Sequence, residues 1–236
     1  MLLKVSVIRH MLLLALLMPG LVIAGSTEND PFESYNRVIF SFNDKVDRWV
    51  LKPVTKGYLF VTPDFLERGV SRMFSNISEV RNIVNDVLQG KAGQAGNDTG
   101  RLLINSTFGI AGFFDVARHA GLEKSDGEDY GQTFGVWGVE EGAYLVLPLL
   151  GPRTLRDTPG ILLDIFLDPV GVINHVPTRN QVYGVQVVSL RADLLEAEKL
   201  ISGDRYSFVR DVYLQRREFL VNDGEVEDDF GDDDYN

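Results

Sequence analysis

Apolar residues return at steps of three and four along most of this chain, and that spacing limits what it can fold into. Phe32, Tyr35, Val38, Ile39, Phe42, Val46 and Trp49 make one such stripe, the signature of an amphipathic helix. Pro53 is expected to end or interrupt it, because proline has no N–H to give and crowds the preceding turn. A second stripe runs from Phe65 to Leu88 and predicts a helix of roughly 25 residues, with a break allowed near Asn76. Residues 90–97, GKAGQAGN, read as a small-residue bend. Further helices are expected over GILLDIFLD, closed by Pro169, over residues 179–201, and after Asp204 as N-cap. In the 179–201 helix, Val182, Val185, Val188, Ala192 and Leu195 share one side. In the last helix, Tyr206, Val209, Val212, Tyr213, Phe219 and Leu220 are expected inside. The one strand candidate is AYLVLPLL, where Pro148 argues against a central strand. The class is all-α, broken by one irregular Gly/Pro-rich apolar insertion, FGVWGVEEGAYLVLPLLG at 134–151.

The ends of the chain differ from this body. Residues 1–24 carry Lys4 and Arg9, then the apolar run MLLLALLMPGLVIA with small residues at its close, the pattern of a cleaved export signal. The run is shorter than the roughly 20 residues a membrane span needs. Residues 223–236, DGEVEDDFGDDDYN, hold eight carboxylates and no Lys or Arg, which predicts a self-repelling disordered tail. A calcium loop is the sharper reading of its DDD run, but the ligand spacing and turn glycine are missing. Residues 25–222 are then a single helical domain. Net charge is −11 and no Lys/Arg cluster supplies the basic face that nucleic acid requires, so nucleic acid is excluded as a partner. There is no cysteine, and an exported fold of this length rests on packing rather than disulfides.

Candidate chemistry is sparse. Past the signal the histidines are His119 and His175, in no zinc-binding spacing. No nucleophile elbow or phosphate loop is present, and neither a catalytic residue, a metal nor a cofactor is expected. A serine hydrolase would need one of these histidines beside a serine brought in from elsewhere in the chain. Arg101, Asp115, Arg153, Arg156, Asp157 and Asp164 flank apolar runs. They read either as scattered ion pairs or as a polar rim around an apolar pocket. Gly109 and Gly112 allow close packing of backbone, inside a protein or between membrane helices.

Three blocks, DPFESYNRVIFSFNDKVD (30–47), LLINSTFGIAGFFDVA (102–117) and EDYGQTFGVWGVEEGAYLVLPLLGPRTLRD (128–157), together resemble the MlaA/VacJ family of Gram-negative outer-membrane lipoproteins. The resemblance implies a non-enzymatic, ring-like helical protein, monotopic in the membrane and bound to a trimeric outer-membrane porin. Such a protein draws mislocalised phospholipid from the outer leaflet through an amphipathic channel and hands it to a soluble periplasmic lipid carrier, so preserving lipid asymmetry. By the same resemblance Phe134, Gly135, Trp137, Gly138, Gly142, Tyr144 and Pro148 are expected in the wall or gate of the lipid passage. Trp137 and Tyr144 suit an interface, and Phe32, Tyr35, Ile39 and Phe42 are expected on a membrane-facing helix. The family carries a lipobox cysteine where this chain has Ser26. An acyl anchor is therefore not expected there, and a soluble periplasmic form is allowed.

Overall fold

The computed structural model describes residues 30–225; the expected export signal, Ser26 and most of the acidic C-terminal run lie outside them. Helix α1 spans Glu33–Val46, and Pro53 interrupts the α-helix, as one of the two expected outcomes, without stopping the chain's helical course. Asp47–Leu51 forms a π-helical turn and α2 continues over Lys52–Val61, with Pro53 in its first turn. In the wide turn the Lys52 N–H bonds the Asp47 carbonyl. The carbonyls that a proline ring would strike in an α-helix are moved off its path.

Helix α3 runs unbroken over Asp64–Gln89 and ends at Gly90, whose φ of 79° is a left-handed cap. The expected bend at 90–97 shrinks to Gly90 and Lys91, because α4 already starts at Ala92 and runs to Thr107. Helix α5 covers Tyr130–Val136, capped by the Asp129 side chain. A two-stranded antiparallel hairpin follows, β1 Tyr144–Leu147 with β2 Gly151–Thr154, Tyr144 opposite Thr154. Pro148 lies in the turn between them. Helix α6 spans Asp157–Leu167, ending before Pro169 as expected, and Pro169 begins a 3-10 turn. Helix α7 spans Val176–Asp193, ending eight residues before the expected 201. The chain then turns through a 3-10 segment at Ala197–Leu200. Asp204 caps α8, Arg205–Val221, by accepting the Ser207 N–H. Among the described residues the fold is all-α apart from this hairpin.

Helix α3 is the organising element, packed on α4 and touching α5, α6 and α7; α2 lies on α7, and α8 on α5 and β2. The segment that follows α4 packs closely on α3, where Gly69 accepts the Phe113 ring; a Cβ there would sit 2.0 Å from it. Gly112 likewise sits against Asn76, 2.4 Å from where its Cβ would be. Close packing inside the protein is thus what this glycine provides.

Helix α1 holds the hairpin through two asparagines a heptad apart. Asn36 donates to the Tyr144 carbonyl at 3.0 Å and accepts the Val146 N–H at 2.8 Å. Asn43 donates to the Leu147 carbonyl at 2.9 Å and accepts the Leu149 N–H at 2.8 Å. Each side-chain amide mimics a strand's peptide group. Asn36 also donates to Asp30 at 2.9 Å, and Tyr206 of α8 donates to the other Asp30 oxygen. Ile39, Tyr144, Val146 and Tyr206 form the small apolar core around this junction.

Candidate functional site

Burial is distributed against the usual rule. Among the described residues, eight hydrophobic side chains are buried against twenty polar or charged ones. Thirty-four large hydrophobic residues are exposed, whereas soluble proteins rarely show extended apolar surface. Helix α3 shows the inversion most plainly. Asn76, Glu79, Asn82, Asn85 and Asp86 are its buried face, and Phe65, Val87 and Leu88 face out. The apolar stripe marks the helix correctly, but the polar stripe turns inward.

Many of the interior polar groups are paired, although some, both Asp86 oxygens among them, receive no hydrogen bond. Arg101, 4% exposed, meets Glu79 at 3.5 Å and Asp115 at 3.2 Å. Burial pushes the Glu79 carboxyl above its ordinary range. Asn105 accepts the Ala117 N–H at 2.8 Å and donates to Asp115 at 3.1 Å. Arg217 of α8 grips Asp129 at 2.7 and 3.0 Å and Asp157 at 2.9 and 3.0 Å, joining α5, α6 and α8. Burial works to raise the Asp129 carboxyl, but the Arg217 guanidinium outweighs it and holds it below the usual range. At the π-helical turn, Asp47 receives Arg191 of α7 in a two-point fork at 2.7 and 2.9 Å. Glu198 gathers Arg191, Lys52 and Arg205. Burial would raise its carboxyl, yet these three cations together hold it down at about 2.

The outward face carries the apolar surface. Trp49, Phe60, Phe108 and Phe166 are 81%, 90%, 76% and 81% exposed. No described helix is long and apolar enough to cross a membrane.

The residues predicted for α1 divide between two faces. Phe42 is exposed, as a membrane-facing residue must be, but Ile39 is 7% exposed and lies in the core, with Tyr35 packed against it. Phe32 is half-buried at the helix entrance. The hairpin occupies the Asn36–Ile39–Asn43 side of the helix, so the outward residues are Val38, Phe42 and Trp49. In α8, Val212 and Phe219 are exposed rather than inside.

The insertion residues also separate. Phe134 is half-buried, its ring centroid 6.1 Å from Trp137 and 6.2 Å from Tyr130. Trp137 is 56% exposed and donates to the Leu88 carbonyl at 3.1 Å, which suits the interface expected for it. Tyr144 does not suit that role: it is 1% exposed, in the core with Tyr206 and Tyr213. The cause is the strand pleat, which turns Tyr144 and Val146 to the same inner side. Gly135 sits 2.8 Å from Val221 by the position of a Cβ, so it is a close-packing site. Gly138, at φ 87°, makes an open turn after α5; Gly142, at φ 68°, faces Leu155.

Of the six charged residues flanking apolar runs, Arg101 with Asp115 and Arg156 with Asp157 are ion-paired. Arg153 and Asp164 instead line a cleft between α3, β2 and α6. Asn36, Asn43, Arg191 and Arg217 stand in no motif that would mark them before the fold is known. The one signal available was the recurrence of Asn and acidic residues at helical spacing in α3. His119 is exposed, and His175 is an exposed N-cap bound to Thr178 at 2.8 Å. No group of described residues has the composition of a metal site.

The described residues thus form a helical protein with a polar interior, an extended apolar exterior and no helix long and apolar enough to cross a membrane. Residues 28–220 match the family model described as MlaA lipoprotein, and the chain belongs to that family. It is 33% identical over 203 residues to the intermembrane phospholipid transport system lipoprotein MlaA of Escherichia coli K12, covering 84% of this chain and 80% of that one. The Haemophilus influenzae protein of the same description is 32% identical over 206 residues, covering 85% and 82%. A solved structure described as "Structural basis for maintenance of bacterial outer membrane lipid asymmetry" superposes with a TM-score of 0.71 at 32% identity, covering 82% of this chain and 99% of that chain.

Proposed function

We propose that this chain is a non-enzymatic phospholipid-transport component on the periplasmic side of the Gram-negative outer membrane. It removes mislocalised phospholipid from the outer leaflet through an amphipathic channel, with a trimeric porin beside it, and passes the lipid to a soluble periplasmic carrier. The observation that carries this reading is the inverted burial, polar side chains inside and apolar ones outside. A lipid path needs both environments, polar for the headgroup and apolar for the chains. The named role of the Escherichia coli and Haemophilus influenzae relatives in intermembrane phospholipid transport supports it. With Ser26 in place of an acylated cysteine, attachment rests on the exposed residues of α1 and α2 and on the porin.

Deletion of the gene should raise surface-exposed phospholipid, and reintroduction of this chain should restore it. Unchanged outer-leaflet phospholipid in the deletion strain would sink the reading. Gly138→Leu separates transport from mere docking, since the turn at φ 87° resists a side chain while nothing packs against it. Retained porin binding with lost lipid asymmetry is the expected result.

A further inference from the structure

The cleft between α3, β2 and α6 has a volume of about 220 Å³, smaller than the roughly 300–1,000 Å³ of pockets that enclose whole ligands. It suits part of a lipid rather than all of one. Its walls are of two kinds. Ile77, Ile161 and Ile165 are apolar; Arg81, Arg153 and Asp164 are charged. Arg81 gives its Nε to the Glu128 carbonyl at 3.0 Å, and Arg153 gives one Nη to the Pro152 carbonyl at 2.7 Å. Both are thereby anchored through backbone, and neither forms an ion pair with a described carboxylate at 4 Å or less, in a protein where most interior arginines do.

Asp164 sits in the same cleft. Its Oδ1 accepts the Tyr130 N–H at 3.3 Å, and it too has no described ion-pair partner. Burial pushes its carboxyl up to about 6, against the pull of both arginines. A second carboxylate on the rim, Asp168, is occupied in capping the following turn, where it accepts the Val170 N–H at 3.0 Å. Backbone-anchored guanidinium groups with donors left over, both Nη of Arg81 and the second Nη of Arg153, match a phosphodiester. A desolvated carboxylate beside them matches a cation of the same ligand. The neighbouring exposed residues Leu162, Ile165 and Phe166 continue the apolar wall onto the outer surface, where acyl chains would lie.

We infer that this cleft is a headgroup subsite for a zwitterionic aminophospholipid, with Arg81 and Arg153 receiving the phosphodiester and Asp164 the ammonium. The assignment rests on the phospholipid-transport reading and specifies which headgroup class that path selects. An anionic headgroup without an amine leaves Asp164 unmatched and repelled.

The test uses the purified full chain in detergent, mixed with equimolar phosphatidylethanolamine and phosphatidylglycerol vesicles, re-isolated, and its retained lipid quantified by mass spectrometry. The wild type should retain phosphatidylethanolamine in excess. Asp164→Asn keeps the acceptor for Tyr130 but removes the charge. It should lower the ratio of the two lipids by about tenfold, the worth of a charge-assisted hydrogen bond, with total lipid little changed. Arg153→Gln should lower retention of both lipids together. Asp164→Glu should keep the preference, which distinguishes recognition from folding. Equal retention of the two lipids by the wild type, or an unchanged ratio in Asp164→Asn, overturns the headgroup assignment and leaves transport standing. Equal loss of preference in Asp164→Glu and Asp164→Asn also overturns it. A wild type that retains no phospholipid overturns both.

Discussion

Replacing Asp86 by Asn should stabilise this protein at pH 8 and hardly affect it at pH 4. Asp86 lies on the inner face of α3 with no exposure. Neither of its oxygens receives a bond from an amide or hydroxyl donor. The Asp98 carboxyl is beside it, and two carboxyls can bond each other only through a retained proton. Burial first, then the charges of Asp98 and Glu128, push Asp86 up from 3.8 to about 7, against the Lys91 ammonium. A carboxyl raised in the folded state stabilises the fold below its unfolded value. That contribution is lost as pH climbs from about 4 through about 7. At about 1.4 kcal/mol per pH unit, the ceiling is about 4 kcal/mol. Relaxation around the ionised pair brings the expected effect to about 2–4 kcal/mol. Asn offers Asp98 a permanent donor and carries no charge. At pH 8 it should therefore raise the melting temperature by roughly 4–16 °C, at about 2–4 °C per kcal/mol for a domain of this size. At pH 4, where wild-type Asp86 is neutral when folded and about half protonated when unfolded, the gain should fall below about 1 kcal/mol. Melting followed by tryptophan fluorescence in one detergent at both pH values is sufficient. A variant less stable than wild type at pH 8, or offset equally at the two pH values, refutes the reasoning.

Three further outcomes follow from the packing. Asn36→Ala removes two bonds to β1 and one to Asp30 and should cost about 2–4 kcal/mol in denaturant unfolding, since buried partners are left unpaired. Gly69→Ala places a methyl within 2.0 Å of the Phe113 ring and should cost about 1–3 kcal/mol by overpacking, read as a lower melting temperature. Trp49→Asp with Phe60→Asp leaves the interior untouched, because these side chains are 81% and 90% exposed. The double variant should keep its circular dichroism spectrum while losing vesicle flotation; flotation equal to wild type would show that these helices do not meet lipid.

Helix positions were legible because the period of apolar residues depends only on local geometry, and α3 and α8 follow it closely. Which face turns inward was not. A stripe such as Phe65 to Leu88 defines two sides of a helix, and the solvent decides which is outside. Water would bury the apolar side; an apolar surrounding lets Asn76, Glu79 and Asn82 go in. The same ambiguity placed Ile39 outside and Val212 inside in the sequence reading. Pro53 signalled an interruption but not its form: a π-helical turn accommodates it, and nothing in Asp47–Leu51 taken alone encodes that turn. For the insertion, composition signalled an unusual segment, but not that Tyr144 would be core and Trp137 surface. Arg153 and Asp164 were recognisable as charges beside apolar runs. Their meeting across a cleft depends on β2 and α6 being brought together by tertiary contacts.

The two asparagines of α1 have a consequence for solubility in the cell. A two-stranded hairpin has two open flanks, and an open flank is a template on which another chain can add a strand. On β1 that flank is occupied: Asn36 takes the Val146 N–H and the Tyr144 carbonyl, and Asn43 takes the Leu147 carbonyl. β1, whose sequence is YLVL, is thereby withheld from strand addition by side chains that cannot themselves propagate a sheet. A helix that seals this flank guards the apolar strand against edge-to-edge pairing with another chain.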